Sequence, residues 1–283
     1  GIGYRQVELT EAGRLDTDAI LCALDEPDIR VVLLQRSRGY VWRPSFSVAE
    51  LGQAISAIKH VRPDVWVLVD NCYGEFVETV EPSQAGADVI VGSLIKNPGG
   101  GIAPTGAYVA GKTACVERIG ARLTSPGIGR EVGCNPGGHL QYYQGLFLAP
   151  HVVAQALKTA ALFAAVFEEL GYAVLPASDV VRADIIQAVR FDNEQALIAF
   201  CQSIQKAAPV DAQAVPEPWD MPGYEDPVIM AAGTFIQGAS IELSADGPIR
   251  PPYIAYFQGG LTYEHGRIAC MLAVQSLMKA GLV

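Results

Sequence analysis

The chain has 283 residues, half of them hydrophobic, and a formal net charge of −10. That length buries a large core and makes one or two domains. The acidic balance argues against nucleic acid or an anionic membrane surface as partner, though an average leaves room for a local basic pocket.

In chain order, residues 4–9 alternate and predict a strand, and Asp16 caps a short helix through about Leu24. Residues 31–35 are predicted to form a buried strand that ends in Gln35-Arg36-Ser37-Arg38-Gly39, and 45–60 carry Val48, Leu51, Ile55 and Ile58 at helical spacing. A second apolar run, 65–69, stops at Asp70. A short helix is predicted near 82–86. A third run, 87–91, ends in Gly92-Ser93 and then Lys96, and 107–110 returns as a short strand. This alternation predicts a mainly parallel sheet with right-handed crossovers. Residues 112–123 read as a helix, and 124–138 as a long Gly- and Pro-rich loop carrying Arg130, which suits an anionic ligand or simple solvation equally.

The longest helical stretch is 140–170, with Pro150 as a point of interruption. Its second half is nearly apolar on all sides, as for a helix buried between two domains or by a partner subunit. The expected division is 1–155, the remainder of a large domain, and 156–283, a small α+β domain. In the latter, strands are predicted at 184–191, 228–236 and 240–243 and helices at 193–207 and 262–280. The stiff loop 216–227, with Trp219, Met221, Tyr224 and Asp226, either walls a pocket or covers the edge of the core.

The six cysteines (Cys22, Cys72, Cys115, Cys134, Cys201, Cys270) make no CxxC, and the four histidines show no ligand spacing. Reduced thiols in a cytoplasmic protein without structural zinc are expected. The most apolar long segment, 151–167, holds Gln155 and Lys158 and reads as a buried helix rather than a membrane span. No secretory signal is evident, and the chain opens at Gly1 without Met, as a fragment would.

Chemistry concentrates at the strand ends. Buried parallel strands place ligands outside their carboxyl ends, so Asp70 and Lys96 are expected to share a site. Pyridoxal phosphate needs a lysine for a Schiff base and an acid for its pyridine nitrogen. Ser93, three residues before Lys96, suits the phosphate. The plainer alternatives are an Asp that only caps a turn and a Lys in an exposed loop. A P-loop is disfavoured, because Lys96 precedes its glycines. Arg36 and Arg38 suit a carboxylate or phosphate fork, or a solvated turn with two salt bridges. Arg250, flanked by Pro248 and Pro251-Pro252, is held rigidly enough for a substrate carboxylate.

The segments QRSRGYVWRPS, VDNCYGEFVETVEP, GADVIVGSLIKNPGGGIAPTGAYVAGK, GLFLAPHVV, PVDAQAVPEPWDMPGYEDPVIMAAGTFIQGASIELSADGPIRPPY and QGGLTYEH carry a resemblance over the whole chain from Tyr4 onward. The chain resembles the methionine γ-lyase-like family, also called the aluminium resistance protein family, and more distantly the cystathionine lyases and synthases. That resemblance implies an α/β fold-type I enzyme whose N-terminal part is missing here. It implies pyridoxal phosphate on Lys96, Asp70 at the pyridinium, Ser93 and Ser37 at the cofactor, and Arg250 or Arg38 at the substrate carboxylate. The implied activity is a carbon–sulfur lyase acting on a sulfur amino acid, in a homodimer or homotetramer. An incompetent fragment or scaffold, and a protein binding an anion without covalent chemistry, remain as alternatives.

Overall fold

The structure is a computed structural model and describes residues 2–125, 127–133 and 137–283. Its first helix, α1 (Thr17–Ala23), starts where Asp16 accepts the Ala19 N–H at 2.9 Å, pairing a donor that the first turn otherwise leaves free. After β1 (Val31–Gln35), helix α2 (Val48–Val61) is closed by a capping box in which Ser47 and Glu50 each bond the other's backbone N–H. The α2 stripe Leu51, Ile55 and Ile58 packs on one face of a sheet through Leu34, Val67, Val69 and Ile90. Complete burial of each such side chain stabilises the fold by roughly 1.5–3 kcal/mol.

That sheet consists of β1, β2 (Trp66–Asp70), β3 (Val89–Ser93) and β4 (Ala107–Gly111), side by side in chain order. The first three are parallel and β4 closes the edge antiparallel to β3. Gln35 pairs with Asp70 and Asp70 with Val91, so the carboxyl ends of three strands line up along one edge. The opposite face, with Val31 and Leu33 beside Trp66 and Leu68, lies away from α2; Val31 and Leu33 are 54% and 60% exposed.

Helix α3 (Thr113–Arg122) leads to α4 (Leu140–Glu169). Pro150 does not interrupt α4. Pro150 and Leu146, whose carbonyl loses its donor, are both on the exposed side, where water replaces the missing bond. Nor is the second half of α4 buried all round. A single stripe is buried, from Gly145 through Val152, Ala156, Ala160 and Phe163 to Phe167, while Lys158 is exposed. By length and hydropathy α4 would pass for a membrane span, but this stripe packs into the interior of the fold.

The remaining elements are β5 (Ala173–Leu175), β6 (Gln187–Arg190), α5 (Glu194–Ala207), β7 (Val228–Ala231), β8 (Ser244–Pro248), β9 (Ile254–Gln258) and α6 (Tyr263–Lys279). The five strands form an antiparallel sheet in the order β5-β6-β9-β8-β7. Phe163 and Phe167 of α4 join Phe200 of α5, Phe257 of β9 and Leu277 of α6 in its core, with Phe163 stacked on Phe257 at 3.9 Å between centroids.

Several predicted elements differ. Residues 4–9 are irregular, because no neighbouring strand pairs with them. Residues 82–86 form turns closed by the Ala85 and Ala87 N–H groups on the Pro82 carbonyl. Residues 240–243 are turns, and the strand starts one residue later, at Ser244. Cys134 lies outside the described residues.

Candidate active site

Asp70 ends β2 and Ser93 ends β3. From Ser93 the chain turns tightly into a 3-10 turn, Asn97–Gly99, with Lys96 N–H donating to the Ser93 carbonyl at 3.3 Å and Gly99 N–H to the Lys96 carbonyl at 3.2 Å. Ser93 Oγ accepts the Ile95 N–H at 3.3 Å. Asp70 Oδ1 accepts the Cys72 N–H at 3.1 Å, which orients the carboxylate.

Lys96 Nζ lies 4.3 Å from the centroid of the Tyr73 ring. Burial works against its ammonium, yet Tyr73, Cys72 and Asp70 outweigh burial and the pKa is raised. Lys96 and Asp70 thus occupy one electrostatic site at the aligned strand ends. Burial pushes the neighbouring Cys72 thiol up to about 11.

Behind the site is a buried polar network. Arg36, fully enclosed, donates to Asn71 Oδ1 at 2.8 Å and Glu78 Oε1 at 2.7 Å, with Glu81 at 3.4 Å. Tyr108 donates to Glu75 Oε1 at 2.9 Å, and burial pushes the Glu75 carboxyl up to about 8. Gly92 permits this approach, since a Cβ there would meet both Glu75 and Tyr108. The Asn97 side-chain amide donates to the Tyr73 and Glu75 carbonyls, each at 3.0 Å, and so ties the turn after Lys96 to the turn after Asp70.

The second sheet supplies the facing wall. Burial pushes the Asp246 carboxyl on β8 up to about 6, against hydrogen bonds from Tyr40 and Gln258 and the charge of Lys96. Tyr40 packs on Tyr224 and Tyr256 at 5.4 and 5.3 Å. Arg250 donates to Asp226 Oδ2 at 3.0 Å and to the Tyr40 carbonyl at 3.3 Å, and it lines a cavity of about 200 Å³ with Tyr40, Tyr224 and Pro248.

The other candidates are placed differently. Ser37 is buried and donates to Asp184 Oδ2 at 2.8 Å. Arg38, also buried, donates to the Leu175 carbonyl at 2.7 Å and lies 3.8 Å from Asp184 Oδ1. Arg36 serves the polar network rather than a solvated turn. Arg130 is exposed against Gly120 of α3.

A lysine amine, a carboxylate and a serine hydroxyl at adjacent strand ends are the donor set that pyridoxal phosphate uses, so the residues present fit that group. The profile of the methionine gamma-lyase family matches residues 1–278. The chain belongs to the methionine gamma-lyase family. It is 55% identical over 282 residues to the uncharacterized protein YnbB of Bacillus subtilis, covering 100% of this chain and 67% of that one. A Clostridium acetobutylicum structure provisionally named a cystathionine beta-lyase involved in aluminum resistance is 50% identical, with a TM-score of 0.91 over 96% of this chain and 63% of that one. A carbon-sulfur lyase involved in aluminum resistance from Clostridium novyi is 49% identical, with a TM-score of 0.92 over 98% of this chain and 65% of that one. The chain therefore spans just under two thirds of these two solved relatives. At 19% identity and a TM-score of 0.58, the pyridoxal-5'-phosphate dependent protein YhfS of Escherichia coli shares the fold. The architecture is thus an α/β fold with a mixed sheet, similar to fold-type I enzymes.

Sequence reasoning missed Tyr73, Asn97, Tyr40 and Asp246. Tyr73 and Asn97 adjoin the motif residues, and that adjacency was the available signal. Nothing local marks Asp246, which feels the charge of Lys96 only because the second sheet folds back on the first.

Proposed function

We propose that the family's fold here serves a pyridoxal-phosphate-dependent carbon–sulfur lyase acting on a sulfur amino acid, of methionine γ-lyase or cystathionine β-lyase type. The convergence of Asp70 and Lys96 at the aligned strand ends carries this reading. Lys96 would hold the cofactor as a Schiff base, Asp70 its pyridinium nitrogen and Ser93 its phosphate. When bound, the cofactor supplies an electron sink for charge developing at the substrate's α-carbon. Lys96 Nζ would accept the substrate's α-proton, and Asp70 would hold a proton at the cofactor's ring nitrogen. Arg250 exchanges its bond to Asp226 for the substrate carboxylate at the mouth of the cavity. Ser37, which donates to Asp184, and Arg38, which donates to the Leu175 carbonyl, are the further candidates, Ser37 for the cofactor and Arg38 for the substrate carboxylate. The proposal extends to a homodimer or homotetramer, for which the exposed Tyr143, Leu146 and Phe147 on α4 offer apolar surface.

The test is a visible absorbance spectrum before and after adding pyridoxal phosphate, with Lys96→Ala as control. A band that survives desalting in the wild type and is absent in the variant is expected, followed by thiol release from methionine, cystathionine or cysteine. A chain that stays colourless, or a Lys96→Ala variant that keeps the band, overturns the assignment.

A further inference from the structure

Tyr73 is not explained by core packing alone. Its backbone sits at a φ of 72°, a left-handed conformation that strains a bulky residue. Two donors hold it there: Asn97 Nδ2 at 3.0 Å and Ile185 N–H at 3.2 Å, both on the Tyr73 carbonyl. The side chain lies between the apolar cluster of Val153, Ala156, Ile185 and Ile241 and the aromatic cluster of Tyr40 and Tyr256. Its ring face meets the Lys96 ammonium at 4.3 Å. An ammonium over an aromatic face is held by the ring quadrupole.

We propose that Tyr73 is the positioning residue of Lys96: its ring face holds the ammonium at the strand ends, and Asn97 is the clasp that keeps the two registered. Asn97 follows Lys96 directly and bonds the Tyr73 carbonyl, so a shift of either turn moves the other. The titratable groups facing Lys96 are Tyr73, Cys72 and Asp70 from the stretch at the end of β2, and Asp246 from β8. Burial raises the pKa of Tyr73, so the phenol stays neutral and acts on Lys96 through its π face rather than as an anion. A parked ammonium is a poor nucleophile. Condensation with an aldehyde needs the neutral amine, so Tyr73 slows attack by Lys96 at neutral pH while aiming it.

The test reads Lys96 without any cofactor. The full chain is labelled with a trace of acetic anhydride across pH 6 to 11, and the Lys96 peptide is quantified by mass spectrometry. In Tyr73→Leu, which removes the ring face, the midpoint of Lys96 labelling falls by about one pH unit, equivalent to roughly tenfold faster labelling near pH 8, while Tyr73→Phe, which keeps the face, stays near the wild type. Asn97→Ala moves it the same way, because the clasp is lost while both side chains remain. A structural role alone would not separate the two variants when both are folded, with folding checked by circular dichroism. A midpoint unchanged in Tyr73→Leu, or one that falls as far in Tyr73→Phe, overturns the proposal. A second readout, faster colour development with pyridoxal phosphate at pH 7 in Tyr73→Leu, rests on the proposed use of Lys96; the labelling does not, so failures of the two readings are distinguishable.

Discussion

Glu75 links its proton to folding at this site. It is 3% exposed, sits against β3 beside Tyr108, and burial carries its carboxyl to about 8. In the unfolded chain a glutamate titrates near 4.3. Between those values the folded chain holds a proton that the unfolded chain has lost, so stability falls as pH rises from about 4.3 to about 8 and is level outside that window. The slope from this one group is about 1.4 kcal/mol per pH unit. Glu75→Gln keeps an acceptor for the Tyr108 hydroxyl and removes the titration. Urea unfolding at pH 5.5 and pH 8 should therefore show a smaller loss in the variant than in the wild type; an equal loss would place the Glu75 proton elsewhere. The site residues were legible to different degrees for the same kind of reason. Asp70, Ser93 and Lys96 announce themselves because each ends or follows an apolar strand. Ser37 and Arg38 have the same position after β1, yet they meet Asp184 from far along the chain, and spacing alone cannot display that contact.

The elements that read most directly are those whose caps and periodicity agree. Helix α2, expected over 45–60 from its apolar stripe, spans Val48–Val61, and its capping box and basic last turn agree with that stripe. Ser47→Ala removes the side-chain acceptor for the Glu50 N–H and should cost about 1 kcal/mol in urea unfolding, with the slope of the transition unchanged. A cost near zero would mean that water replaces the cap fully. The second sheet shows the opposite case. Strand β8 reads Ser-Ala-Asp-Gly-Pro, a composition disfavoured in strands, and it forms because β7 and β9 pair with it on either side. Strand β9 went unread although Ile254 to Phe257 is a short apolar run between prolines and glycines, a signal that was present.

Across the whole molecule α4 is the member that links the two sheets. Its C-terminal half supplies Phe163 and Phe167 to the second core, and its N-terminal half lies on the turn that follows Lys96. Gly145 makes that second contact feasible, because a Cβ there would run into the Gly99 carbonyl. Gly145→Ala should therefore push helix and turn apart, lower stability by roughly 2 kcal/mol and weaken the pyridoxal phosphate band without touching Lys96. Urea unfolding and the desalted spectrum measure the two effects, and a variant with wild-type values in both would show that α4 does not brace the turn.

What the sequence determined by itself is local: α1 with its cap, α2 and α5 by their spacing, β1 to β3 as apolar runs, and the strand-end residues from Asp70 to Lys96. Those features follow from periodicity, capping and the position of polar residues after apolar ones, all of which act over a few residues. Only the tertiary structure decided that α4 is buried along one stripe, that β8 is a strand, that Ser37 and Arg38 turn inward to Asp184, and that Tyr73 and Asp246 face Lys96. Each of those outcomes depends on burial and pairing between segments distant in sequence, where the surroundings, not the residue type, set which contacts form.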